Sequence, residues 1–148
     1  MTEPKELVNE YFAARERCDL AWVSDLFADD VSWWVPQSVR TLDRPLRGRA
    51  AVLGLLSAGD HYRTGSQSWT LHHLIGDADL VAVPCEMTAT TISGLPYAND
   101  YVYVFRCERG KIVEVWEHLD TAYAFSRLLE DGNARVMGVP VEDVIGDI

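Results

Sequence analysis

The sequence predicts an α+β domain, helices first and a curled antiparallel sheet afterwards. Two patterns carry this expectation. The first half holds stretches whose apolar residues recur at helical spacing, and from Ser66 onward strand follows strand across short turns. Size supports it: 148 residues, 48% of them hydrophobic, suit one domain able to build a core without disulfides. A long twisted sheet curls, and helices that do not fill its hollow leave a conical apolar pocket, the usual setting for a small-molecule site.

Glu3 to Arg17 reads as an amphipathic helix, with Leu7, Val8, Tyr11, Phe12 and Arg15 at i, i+3, i+4 spacing and Pro4 in its first turn. Asp19 is placed to cap a second short helix, Leu20 to Phe27. Ala28-Asp29-Asp30 reads as the turn into a first strand, Val31 to Val35, which Pro36 stops. After an arginine-rich loop, Gly48 precedes a third helix, about Arg49 to Ala58. Four strands follow: Gln67 to Ile75, Leu80 to Ile92, Tyr97 to Cys107 and Lys111 to Asp120. Their connections, at Gly76–Asp79, Ser93–Pro96 and Arg109-Gly110, are short enough to demand an antiparallel meander. Pro84 lacks a ladder donor and implies a bulge or edge. A last helix, about Ala122 to Glu130, ends at Gly132, leaving a weakly patterned tail over 133–148 after a core of about 4–131.

Composition excludes several functions. The formal charge is −10 and the pI near 4.7, so phosphate backbones and anionic membranes are repelled. Arg40, Arg44, Arg47 and Arg49 cluster, but Asp43 interrupts them and no aromatic platform lies among them, so no nucleic acid partner is expected. Cys18, Cys85 and Cys107 are widely spaced, without CxxC or Cys/His ligand spacing, which fits buried thiols in a reducing compartment. Met1-Thr2-Glu3-Pro4 offers no secretory signal, and no apolar run approaches the roughly 20 residues that span a bilayer. The expectation is a soluble cytoplasmic domain with no membrane partner and no metal.

The last strand is the most informative stretch for chemistry. Trp116, His118 and Asp120 share one face, while Val113, Val115, Glu117 and Leu119 share the other, and both faces are largely apolar. A carboxylate at the end of a partly buried strand, two residues from a histidine, is an acid–base candidate. Asp120 also stands where the last helix needs its N-cap. His72 and His73 are adjacent, so only one can face inward; alternation groups His73 with Trp69 and Leu71. Glu86 either faces solvent or is a paired functional acid inside. Asn99, Tyr101, Tyr103 and Phe105 share a face and offer donors to a substrate oxygen. Trp34, Trp69 and Trp116, with Trp33, suggest an aromatic-walled cavity for a flat apolar ligand.

The ordered blocks Leu26-Phe27-Ala28-Asp29-Asp30-Val31, Trp33-Trp34-Val35-Pro36, Leu46-Arg47-Gly48-Arg49, Asn99 to Phe105 and Gly110 to Asp120 resemble the SnoaL-like branch of the NTF2-like superfamily. That superfamily includes ketosteroid isomerase, limonene epoxide hydrolase and the polyketide cyclases. The resemblance spans roughly Pro4 to Phe125 and implies a conical barrel, a curved antiparallel sheet with N-terminal helices in its concave face. It also implies a homodimer formed through the outer face of the sheet. Tyr11 sits near the oxyanion-donating tyrosine of the isomerases, but Val35 stands where their base belongs. The hydrolases' arginine and its partner acid would fall near Glu86 and Thr88, which breaks that set. The cyclases' late-strand aspartate with a nearby histidine matches Asp120 with His118 or His73. On this strand pair the family's other pocket acid would fall at Asp100 or Tyr101.

Together these readings predict a small cofactor-free enzyme acting on a hydrophobic polyketide, terpenoid or steroid-like molecule by cyclisation, isomerisation, dehydration or epoxide hydrolysis. Asp120, His118, His73 and Tyr11 are the expected catalytic residues; Trp34, Trp69, Glu86, Asn99, Tyr101 and Trp116 are the expected substrate-binding ones. The competing expectation is a non-catalytic binding or dimeric interaction module, because one fold hosts many functions.

Overall fold

The computed structural model describes residues 2–39, 43–57, 61–131, 135–136 and 139–140. Helices α1 (Pro4–Glu16) and α2 (Leu20–Leu26) precede strand β1 (Phe27–Trp34), the short β2 (Leu46–Arg47) and helix α3 (Arg49–Leu56). Then come β3 (Ser68–Leu71), β4 (Ile75–Asp77), β5 (Leu80–Thr90), β6 (Pro96–Glu108), β7 (Lys111–Leu119) and helix α4 (Thr121–Glu130). A two-stranded ladder, β8 (Arg135–Val136) with β9 (Val139–Pro140), follows. The expected C-cap Gly132 and most of the tail over 133–148 lie outside the described residues.

The main sheet runs β2-β1-β7-β6-β5-β3, with β4 also on β5. The expected antiparallel meander is present: β5 pairs with β6 over its whole length, and β6 with β7. β1 joins β7 in parallel, which the sequence reading did not specify. That pairing draws Ala28, Asp29 and Asp30 into the strand, not the expected turn, with a register shift between Phe27 and Ser32.

The expected strand from Gln67 to Ile75 is broken in two. β3 ends where Leu71 faces Cys85, and β4 begins where Ile75 faces Ala82. Pro84 lies between those positions, and its carbonyl accepts the His72 N–H at 3.0 Å. The carbonyl and nitrogen of one strand residue point to the same neighbour, so the missing donor of Pro84 faces the break, as its chemistry requires.

Alternation along β5 and β6 is strict. Val81, Val83, Cys85, Met87 and Ala89 are buried, and so are Tyr97, Asn99, Tyr101, Tyr103, Phe105 and Cys107. Leu7, Val8, Tyr11, Phe12 and Ala14 of α1 are buried against this concave face. Phe12 meets Tyr103 and Phe105 edge-on, with centroids 5.7 and 5.8 Å apart. Asp19 caps α2 by accepting the Trp22 N–H at 3.0 Å. Gly48, at φ +92°, takes a backbone conformation that a side chain would strain and starts α3 across β1. No helix among the described residues is long and apolar enough to cross a membrane.

Phe12 is 3% exposed and joins α1 to the sheet without bordering the cavity described below. Phe12→Ala is expected to cost about 3–5 kcal/mol in urea denaturation, with the cooperativity of unfolding retained.

Candidate functional site

A cavity of about 270 Å³ remains inside the cone, between the concave sheet, α1 and α4. Exposed Cys18, Arg63, Thr64 and Gly65 border it, so one end reaches the surface. Aromatic side chains from five elements or loops form much of its wall: Tyr11, Trp33, Tyr62, Trp69, Tyr101 and Tyr103.

Among the described residues the carboxyl that lines this hollow is that of Glu117. Across the β6–β7 ladder Tyr101 faces Leu119, Tyr103 faces Glu117 and Phe105 faces Val115. The register then shifts, so that Cys107 faces Ile112 and Val113 is left as an extra residue. Glu117 therefore stands beside Tyr103, whose ring stacks on Tyr101 at 5.6 Å. Burial raises the Glu117 pKa from an ordinary 4.5 to about 7, opposed by the Trp33 indole, the Arg15 charge and the Tyr103 phenol. The carboxyl keeps some surface toward the cavity, but its Oε1 is sealed, as is Trp33 Nε1, and neither atom closes a hydrogen bond of good geometry. The indole and phenol are thus near enough to favour ionisation without saturating the carboxylate.

The pocket phenols are shifted away from neutrality. Burial pushes the Tyr11 phenol up to about 12. Tyr62, Tyr101 and Tyr103 are also raised well above the ordinary phenol value by burial. These phenols stay protonated and serve as donors. A second polar cluster lies along β6, where the Tyr97 and Tyr101 hydroxyls are 3.0 Å apart and Asn99 Nδ2 donates to Tyr97 Oη at 3.0 Å. Asn99 also donates to the Asp120 carbonyl and accepts the Asp100 N–H.

Several sequence expectations need correction. Trp116, His118 and Asp120 do share a face, but it is the outer one; Val115, Glu117 and Leu119 look inward. Asp120 is exposed, and its Oδ1 accepts the Tyr123 N–H at 3.0 Å, the cap of α4. His118 and His73 are exposed and border no part of the cavity. Trp34 and Trp116 stack on each other outside, 6.4 Å apart and 3° from parallel, with Arg44 and Arg106 over them. Glu86 faces Asp100 across the outer side of the ladder. Asn99 is buried within the β6 cluster and does not border the cavity itself. Of the named residues, Tyr11, Trp69 and Tyr101 are brought together around the cavity.

Among the pocket residues that the sequence reading missed are Glu117, Arg15, His61 and Tyr62. Glu117 had been grouped with the face away from the aspartate. Arg15 carried a signal, a cation on the apolar stripe of α1. His61, 5% exposed and edge-on to Tyr62 at 5.9 Å, stands in the loop between α3 and β3 and carried none. Among the described residues no group of His, Cys, Asp and Glu gathers as a metal site.

A model of the SnoaL-like domain matches residues 8–115. No curated protein matches the sequence. Among solved structures, an NTF2-like protein of unknown function from Burkholderia pseudomallei is 24% identical, with TM-score 0.75, covering 85% of this chain and 97% of its own. IdmH, a proposed polyketide cyclase from Streptomyces antibioticus, is 21% identical with TM-score 0.74, covering 86% and 99%. AclR, a proposed hydroxylase from Streptomyces galilaeus, is 21% identical with TM-score 0.71, covering 86% and 96%. At these identities the likeness establishes the fold, and differently described proteins share it.

A raised carboxyl pKa makes a definite prediction for stability. Below about 4.5 the group is protonated whether folded or unfolded, and its full contribution is present; as pH rises through about 7 the folded state must hold a buried charge and that contribution is lost. The stability of Glu117→Gln relative to wild type is therefore expected to grow by up to about 3 kcal/mol from roughly pH 4 to pH 8. Urea titrations across that range measure it. Asp120→Ala should cost about 1 kcal/mol at neutral pH, as a lost cap does.

Proposed function

Because the chain belongs to the SnoaL-like domain family, we propose that it is a small acid–base enzyme acting on a hydrophobic molecule held in the cone, with Glu117 as its proton carrier. One observation carries this reading: a carboxyl enclosed by aromatic walls and brought by burial to about 7, where it gives and takes protons with equal ease. The phenols around it are raised as well, by burial, so they stay protonated and are suited to donate hydrogen bonds to an oxygen. This division into one proton carrier and several fixed donors fits enolisation, the step common to isomerisation, aldol-type cyclisation and dehydration.

In that step the carboxylate of Glu117 takes a proton from carbon beside a substrate carbonyl. The C–H electron pair moves into the new C=C bond, and the carbonyl pair moves onto oxygen. The phenols of Tyr103, Tyr101 or Tyr11 donate to that oxygen, and the protonated carboxyl returns the proton at the same or another carbon. Epoxide opening by water is less well served, since among the described residues no second carboxylate lines the cavity with Glu117. The proposal includes a homodimer joined through the outer sheet face, where Val102 is 40% exposed beside the Trp34–Trp116 stack.

The test is deuterium incorporation beside the carbonyl of flat aryl ketones in heavy water, followed by NMR. Exchange should rise with pH to a plateau with an apparent pKa near 7. Glu117→Gln should lower it by about a hundredfold or more, whereas Asp120→Asn should leave it within about twofold. Exchange undiminished in Glu117→Gln, or bound ketones with no enzyme-dependent exchange at all, would leave a binding module as the better reading.

A further inference from the structure

Arg15 borders the cavity with no ion pair among the described residues. Arg15 is the fourth turn's contribution to the buried stripe of α1, following Val8, Tyr11 and Phe12, and it borders the cavity. The ion pairs among the described residues are Arg17–Asp19, Arg49–Asp29 and Arg106–Glu114; Arg15 belongs to none. Its neighbour Glu16 is committed elsewhere, accepting from Ser68 Oγ at 3.0 Å and from the Trp69 N–H at 2.7 Å. The guanidinium lies over the Trp69 ring, 5.0 Å from its centroid. Its Nη1 is sealed from solvent without a hydrogen-bond partner.

A guanidinium that lines an apolar cavity, with the Tyr11 phenol beside it and no carboxylate paired to it among the described residues, points to an anionic acceptor brought in by the ligand on its cavity side. Glu117 is too far from Arg15 to form an ion pair, though near enough for the charge to be felt. The groups facing Arg15 are thus Tyr11 on its own helix, Trp69 on β3, and Glu117 with Tyr103 across the sheet. Of these only Glu117 is anionic, and it is shared between its two protonation states near neutrality.

We propose that Arg15 anchors an ionised oxygen of the ligand, so that the preferred substrates of this cavity are flat apolar molecules carrying one delocalised oxyanion, such as an aryl carboxylate or phenolate. Trp69 fixes the plane of the guanidinium, and the ligand ring continues along the aromatic wall. The inference deepens the acid–base reading above, since it names the substrate class for the same cavity.

The experiment is calorimetric titration of the full chain with naphthoate, its neutral amide and para-nitrophenol, at about pH 6 where Glu117 is mostly protonated. Wild type should bind naphthoate about tenfold or more tightly than naphthamide. Arg15→Met should remove the preference while leaving naphthamide affinity within about twofold, and Arg15→Lys should keep part of it, having charge without the fork. Thermal melts report folding, and Arg15→Gln replaces Arg15→Met if the latter does not fold. A red-shifted nitrophenolate band on binding would extend the class to phenolates; its absence would restrict it to carboxylates and overturn that half. Equal affinity of wild type for acid and amide, or an undiminished preference in the neutral variants, overturns the anchor. These assays involve no turnover, so the anchor can fail while Glu117-dependent exchange persists, and the reverse.

Discussion

The register between β6 and β7 is the constraint on which the rest depends. A ladder has only two settings for each side chain, inward or outward, and one pairing fixes them all. With Tyr103 opposite Glu117, the inner side of β7 carries Val115, Glu117 and Leu119, and the outer side carries Trp116 and His118. The extra residue at Val113 reconciles this with Ile112, which must also be buried against Phe27 and Cys107. Without that bulge either Ile112 or Val115 would be turned to solvent. The inner carboxyl is thus a by-product of placing two apolar residues three apart on one strand.

That placement has an energetic consequence. A buried carboxylate is unfavourable unless paired, and here the compensation is partial: an indole N–H, a phenol and a distant guanidinium approach without closing the shell. The core around it is generously apolar, from Tyr11, Phe12, Phe27 and Trp33 to Phe105, with ring centroids 5.1 to 6.5 Å apart. Such a core has stability to spare for one strained electrostatic site. Local inconsistency in an otherwise consistent structure is a mark of function, because packing alone would favour a leucine or glutamine at Glu117.

Most of the architecture was legible because periodicity and turn chemistry agree along β5, β6 and α1. The inner row from Asn99 to Phe105 follows directly from alternation, and the consequence of Pro84 was visible before its partner strand was known. The site was less legible for a specific physical reason. Both faces of β7 are apolar, so alternation groups residues without saying which group is inside. The outer face holds its own aromatic stack, Trp34 on Trp116, with Trp34 Nε1 donating to Glu114 at 2.8 Å. Aromatic content therefore did not separate pocket from surface. Asp120 matched a catalytic pattern and a capping pattern equally well, and the hydrogen bond from Tyr123 belongs to the second. The parallel β1–β7 contact, which places Trp33 inside and Trp34 outside, is a long-range pairing with no local signal.

The two polar clusters of the interior differ in a way that bears on what each can do. Around Asn99 every amide hydrogen bond is made: Nδ2 serves Tyr97 and the Asp120 carbonyl, and Oδ1 takes the Asp100 N–H. A satisfied buried amide is rigid, and it fixes Tyr97 and, through the contact between the two hydroxyls, Tyr101 in position. Around Glu117 the opposite holds, since Oε1, Trp33 Nε1 and Arg15 Nη1 are sealed without partners in side chains that line the cavity. One cluster is closed on itself and the other is not, and it is the open one that the proposed chemistry draws on. A fold hosts many chemistries, so it does not by itself name the reaction, and the unsatisfied atoms come closer to doing so.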